Sequence, residues 1–313
     1  MKKTDLAFIF PGQGSQKIGM LAELAGQHPL IGATFEEASA VLGYDLWDLS
    51  QNGQQEDINL TERTQPLLLT ASVALWRVWE ARGGAVPTLM AGHSLGEWSA
   101  LVCNGTVAFA DAVKLVRMRG AFMQEAVPAG EGAMAAVMGL DDQVIRDICA
   151  ESAQGGVVSA VNYNSPGQVV IAGDAAAVGR AVEALKAAGA KRALPLPVSA
   201  PFHTSLMKPA GDRLAAHIRA TPFNAPAIPV VHNVHARVEH DPEVIKERMI
   251  EQIHNPVLWV DCIKAMVDMG ITTLVECGAG KVVSGLAKRI DKNLAVYATE
   301  DSASLEEALS STK

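Results

Sequence analysis

The chain has 313 residues, of which 49% are hydrophobic and 19% charged, a balance that excludes extended disorder and supplies core for one large domain or two modest ones. Its 26 Lys and Arg stand against 34 Asp and Glu, a net charge of −8. That excludes a nucleic-acid binder driven by bulk charge, and an acidic partner would need a local basic patch.

Leu6-Ala7-Phe8-Ile9-Phe10 reads as a short buried strand, bounded by Asp5 before it and Pro11-Gly12 after it. Although Met1-Lys2-Lys3 could open a signal peptide, this apolar run is too short for a signal-peptide core. No run reaches the roughly 18 apolar residues of a membrane span, so the expectation is a cytoplasmic protein with no membrane association. Residues 64–82 have helical length, with Pro66 placed near the start, where a missing N–H does little harm. Leu89-Met90-Ala91 is a second short strand, followed by a helix over 95–103 that Gly105 can close and another over 111–126 ended near Pro128.

An Ala/Gly/Val-rich stretch then predicts strand 133–139, helix 141–152, strands 157–163 and 167–172, helix 175–188 and strand 191–196. That order, βαββαβ, is the split βαβ arrangement of a ferredoxin-like module. Pro128 and the Pro195/Pro197 pair look like crossings between two bodies. Helix and strand patterns resume after Val198, including a strand over 271–276 that runs into Gly278-Ala279-Gly280. The four cysteines, Cys103, Cys149, Cys262 and Cys277, form no C-x-x-C pair, which argues for reduced thiols over a zinc or redox motif.

Gly92-His93-Ser94-Leu95-Gly96 matches G-x-S-x-G between a predicted strand and a predicted helix. Small neighbours let the backbone bend sharply there, exposing the hydroxyl while the helix N-terminus faces a developing oxyanion. A serine nucleophile needs a base, and imidazole titrates close to neutral pH. Among the eight histidines, His203 stands out in the proline-constrained loop Val198-Ser199-Ala200-Pro201-Phe202-His203. His93 is too close to Ser94 along a tight turn and reads as a packing or pocket-wall residue. His28 and His217 fall in helical stretches, and His232, His235 and His240 match no strong metal signature, so no metal is expected. On the 111–126 helix, Arg119 lands inside an apolar stripe with Ala112, Leu115, Val116 and Met123, whereas Arg117 faces outward. Arginine keeps its charge, so Arg119 must snorkel out, pair with an internal carboxylate, or wait for a substrate anion. Gly12-Gln13-Gly14 follows a strand, but Lys17 stands where a dinucleotide loop needs its third glycine, and Gly278-Ala279-Gly280-Lys281 is no Walker loop. No cofactor is expected.

These segments together resemble the malonyl-CoA:acyl carrier protein transacylase family, the free-standing acyltransferases of fatty acid synthesis. The likeness runs through Phe10 to Gln16, Thr64-Gln65-Pro66, Gly92 to Glu97, Arg119-Gly120, Asn162 to Gln168, Ala200 to His203 and Gln252 to Trp259. It implies an α/β-hydrolase-like larger subdomain (residues 1–127 and 198–313) carrying an inserted ferredoxin-like subdomain (128–197). By the same resemblance, Ser94 is the nucleophile, His203 the base, and Arg119 the anchor for the malonyl carboxylate. Backbone N–H groups of Gln13 and Leu95 would form the oxyanion hole, and the main-chain carbonyl of Gln252 would orient His203 in place of an aspartate. Phe202 before His203 resembles the malonyl-selective members, and Trp98 stands where Tyr is the more familiar residue, a change expected at a pocket wall.

The implied activity is transfer of malonyl from malonyl-CoA to the phosphopantetheine thiol of acyl carrier protein by a ping-pong route through a malonyl-serine ester. The alternatives are a free-standing polyketide acyltransferase, a serine (thio)esterase that uses water, and a non-catalytic protein that only binds the carrier. Lys191-Arg192 and the stretch from Lys281 to Lys288-Arg289 are the candidate cation patches for an acidic carrier.

Overall fold

The computed structural model describes residues 3–198 and 200–313; Met1, Lys2 and Ser199, the last in the loop ahead of His203, lie outside the described residues. Apolar runs too short for a helix and stopped by Gly or Pro become the strands of a parallel sheet. In chain order its strands are β1 (Leu6–Phe10) and β2 (Leu89–Gly92), then later β7 (Val230–Val231), β8 (Thr273–Glu276) and β9 (Ala295–Ala298). They lie in the order β7-β2-β1-β8-β9, every pair parallel. All residues of β1, β2 and β8 are buried, as expected of central strands covered by helices on both faces.

The second sheet is built from β3 (Gly132–Met138), β4 (Val158–Ser165), β5 (Gln168–Asp174) and β6 (Arg192–Pro195). Its order is β4-β5-β3-β6 with antiparallel pairing throughout, and helices Asp142–Ala153 and Ala175–Ala187 complete the βαββαβ unit. Alternation along β3 divides the labour of its two faces. Ala135 and Val137 join the core under the two helices, whereas Met134 packs with Val161, Val170 and Ala172 on the opposite face, against Leu196, Val198 and Phe202. That second face looks onto the turn after β2.

Two expectations need correction. The helix read over 64–82 runs Thr61–Ala81, so Pro66 lies inside it and not at its start. One backbone bond is lost there, but tight packing holds the opening turn: a Cβ on Gly120 of the neighbouring helix would come within 2.6 Å of the Thr61 carbonyl oxygen. Trp98 is not a pocket-wall residue. It is fully buried in the main core and meets Phe223 edge-on with ring centroids 6.3 Å apart.

No helix of the described residues is long and apolar enough to cross a membrane.

Candidate active site

The β1 and β2 strands end side by side, Phe10 paired with Gly92, and deliver the Pro11–Gln13 loop and the Ser94 turn to one edge of the sheet. Ser94 adopts φ 53° and ψ −109°, a conformation that L-residues rarely take, immediately before helix Leu95–Cys103. The flanking glycines are required by space. A Cβ at residue 92 would sit 1.9 Å from the Gly96 carbonyl, and one at residue 96 would sit 2.2 Å from the Phe10 carbonyl oxygen. Asn233 pins the bend from both sides: its Oδ1 accepts from the Ser94 N–H at 2.9 Å and its Nδ2 donates to the Gly92 carbonyl at 2.8 Å.

Ser94 Oγ lies 2.7 Å from His203 Nε2, and His203 Nδ1 lies 2.9 Å from the Gln252 main-chain oxygen. A carbonyl can only accept, so Nδ1 carries the ring proton and Nε2 is left to accept from the serine hydroxyl. Gln252 closes helix Pro242–Gln252, where terminal carbonyls lack intrahelical partners and are free for such a bond. Burial, and after it the positive charge of Arg119, push the His203 pKa down to about 3. The imidazole is therefore neutral at physiological pH and able to take a proton.

Arg119 is buried at 2% exposure, as the apolar stripe required, while Arg117 is exposed. Of the three fates open to the buried guanidinium, snorkelling is excluded by this burial and no ion pair among the described residues involves Arg119. Two neutral amide oxygens hold it instead: one Nη donates to Gln65 Oε1 at 2.8 Å and the other to Gln252 Oε1 at 3.0 Å, the latter also 3.4 Å from Ser94 Oγ. Its Nε has no partner among the described residues. Burial pushes its pKa down to about 10, opposed by the field of Glu97, so it stays charged near neutrality.

Ser94, His203 and Arg119 share a cavity of about 130 Å³ whose remaining wall includes Gln13, Leu95, Met123, Met134 and Phe202. A larger groove of about 520 Å³ shares His93, Asn162, Leu196 and Val198 with it and passes between the two sheets. The Leu95 N–H opens its helix and so has no intrahelical acceptor. Neither it nor the Gln13 N–H has a partner in the turns, loops and caps of the described residues. His93 stacks edge-on against Trp259 and bonds Asn164 Oδ1 through Nε2 at 2.7 Å, a wall position.

Sequence reasoning passed over Gln65, Glu97 and Asn233 as site residues. Glu97 is 1% exposed and takes bonds from His232 Nδ1 at 2.6 Å and Gln252 Nε2 at 2.8 Å. His232 thus faces a carboxylate inside the protein, and His235 faces Glu239 at 2.8 Å. No cluster of three or more metal-ligating side chains occurs among the described residues. Polar residues inside apolar helical stretches, Gln65 and Glu97 among them, were the available signal. Of the candidate cation patches, Lys281 is offset by Glu300 and Asp301 at 3.4 and 3.7 Å.

A hydroxyl on a forced strand-to-helix bend, bonded to a neutral imidazole beneath a second small sheet, defines an enzyme of the α/β-hydrolase-like class built for acyl chemistry. Over residues 7–292 the chain matches the acyl transferase domain family. It is 58% identical to the malonyl CoA-acyl carrier protein transacylase of Salmonella typhimurium over 98% of this chain and 99% of the relative. The malonyl-CoA:acyl carrier protein transacylase of Xanthomonas oryzae superposes with a TM-score of 0.98 at 51% identity, covering 100% of this chain and 99% of that one. A malonyl-transacylase solved in complex with a type II polyketide acyl carrier protein gives a TM-score of 0.97 at 54% identity over 98% and 99% of the two chains. The chain belongs to the malonyl CoA-acyl carrier protein transacylase family and is an acyltransferase.

Proposed function

We propose that the protein moves a malonyl group from malonyl-CoA to the phosphopantetheine thiol of acyl carrier protein through an ester on Ser94, supplying fatty acid elongation. His203 removes the hydroxyl proton as Ser94 attacks the thioester carbonyl. Backbone N–H groups of Gln13 and Leu95 receive the oxyanion, and the thiolate of coenzyme A leaves with the proton from His203. The carrier thiol then attacks the ester, giving its proton to His203, and the collapsing intermediate returns the proton to Ser94. Arg119 grips the malonyl carboxylate with the donor capacity that its two amide partners leave over. Residues 1–127 and 198–313 form the catalytic subdomain in this reading, and 128–197 the inserted one that roofs the cavity.

The observation that supports the reading most is Arg119: a buried, charged guanidinium in the cavity of Ser94, with no carboxylate of the described residues paired to it. A hydrolase of neutral esters would have no use for such a group. The test is intact-protein mass spectrometry after malonyl-CoA is added without carrier. One malonyl group should appear per chain, absent in Ser94→Ala and discharged on adding holo-carrier protein; release as free malonate at the same rate would favour the thioesterase. A polyketide carrier is the second reading, favoured by the likeness to the transacylase solved with one. Comparison of discharge by fatty acid and polyketide carriers separates the two.

A further inference from the structure

We infer that Glu97 is a positioning residue for malonyl selectivity: it clamps the Gln252 carboxamide so that the charge of Arg119 is balanced at one remove and the guanidinium keeps donors free for the substrate's carboxylate. This rests on the reading of Arg119 as the anchor. Glu97 is the third residue of helix Leu95–Cys103, three positions after Ser94, and is 1% exposed. Buried charges are ordinarily paired, and the field of Glu97 reaches Arg119, yet no ion pair among the described residues joins the two. Here the Gln252 side chain stands between them.

One Glu97 oxygen accepts from Gln252 Nε2 at 2.8 Å and from the Asn233 N–H at 3.3 Å, and the other meets His232 Nδ1 at 2.6 Å. The far end of the same carboxamide, Gln252 Oε1, accepts from Arg119 at 3.0 Å. A carboxamide donates at one end and accepts at the other, so its orientation is dictated. Turned over, it would set N–H against N–H at Arg119 and oxygen against oxygen at Glu97. Gln252 Nε2 also donates to the Ser94 main-chain oxygen at 2.8 Å, which ties the clamp to the nucleophile's own turn. The field of Glu97 supports the charge on Arg119 against burial, yet the carboxylate never occupies the guanidinium. A direct pair would force the malonyl carboxylate to compete with an internal anion that dissociates from nothing.

The experiment measures kcat/KM for single-turnover acylation by malonyl-CoA and by acetyl-CoA, and reads their ratio in Glu97→Ala, Glu97→Gln, Glu97→Asp, Gln252→Ala and Arg119→Ala. Glu97→Ala should lower the ratio about 10- to 100-fold, the range of a lost charge-assisted hydrogen bond, through the malonyl rate. In a Gln252→Ala background the same change should lower it no further. Glu97→Gln should recover most of the ratio. Its carboxamide oxygen can take the Gln252 N–H while its NH₂ meets His232, whose Nε2, without a partner among the described residues, can hold the ring proton instead. Should Glu97→Ala fail to fold, Glu97→Asp, which withdraws the carboxylate by one methylene, should lower the ratio more than Glu97→Gln does. Equal losses for both acyl groups, or a ratio that falls for Arg119→Ala but not for Glu97→Ala or Glu97→Asp, would overturn the inference alone. An unchanged ratio in Arg119→Ala would remove the anchor reading and this inference with it.

Discussion

The Ser94 turn and the Arg119 cradle meet in one cavity but are built in opposite ways. The turn is a local device. Gly92 and Gly96 let two backbones approach closer than any Cβ allows, and five consecutive residues set the Ser94 hydroxyl. The cradle is assembled from Gln65, Glu97, Arg119 and Gln252, residues on four different helices. Backbone sterics fix the first and a buried polar network fixes the second, so the two should fail differently when disturbed.

The largest effect is expected from removing the two groups to which the proposed mechanism gives the chemistry. Ser94→Ala or His203→Ala should cut malonyl transfer by about 10⁴-fold or more, with little further loss in the double variant, because the pair acts as one unit. Stopped-flow or quenched transfer assays check this, and full additivity would show that the two do not work together. Next comes Arg119→Ala, which should lower malonyl transfer by about 3–5 kcal/mol, or roughly 150- to 5,000-fold, and acetyl transfer far less. Structural damage would slow both alike.

Gly92→Ala tests the turn itself. Its Cβ would overlap backbone atoms that cannot swing aside, so a loss of about 3 kcal/mol or more is expected in denaturant melts. An unaltered midpoint would mean that the bend relaxes. A smaller effect is expected from releasing the strain on Ser94. Ser94→Gly should be inactive yet about 1 kcal/mol more stable than Ser94→Ala, since glycine adopts a positive φ without the Cβ penalty. The opposite order would deny that the turn stores strain.

The pH response distinguishes the two devices more finely. His203 has its folded pKa depressed to about 3, against about 6.5 unfolded. Between these values the unfolded chain binds the extra proton, so this residue's contribution makes stability rise with pH across that window and level off above it. Acylation should likewise hold steady from neutrality down to mildly acidic pH. Because the charge of Arg119 is the second cause of the depression, Arg119→Ala should shift the acid limb of acylation to higher pH. An unmoved limb would show that burial alone sets it.

The same contrast explains what was legible in the sequence. The elbow was, because its chemistry is contiguous, as was the βαββαβ order, whose strands are unbroken runs of 4 to 8 residues that follow one another along the chain. Arg119 announced itself as a charge at an apolar position, but its partners did not, since Gln65 and Gln252 lie 54 and 133 residues away from it. The resemblance named the Gln252 carbonyl, not the carboxamide that holds Arg119. Strand β7, at two residues, is too short to leave a pattern. The opening turn of the Thr61–Ala81 helix was missed because Pro66 reads as a start signal, whereas packing against Gly120 carries the helix one turn further back.

A crystal structure of the protein trapped with malonyl-CoA, in a form that retains the acyl group on the chain, puts the joint use of both devices to the test. The acyl group should be esterified to Ser94 Oγ with its free carboxylate within hydrogen-bonding distance of the Arg119 guanidinium. A carboxylate turned toward solvent, or an acyl group attached to another residue, would contradict it.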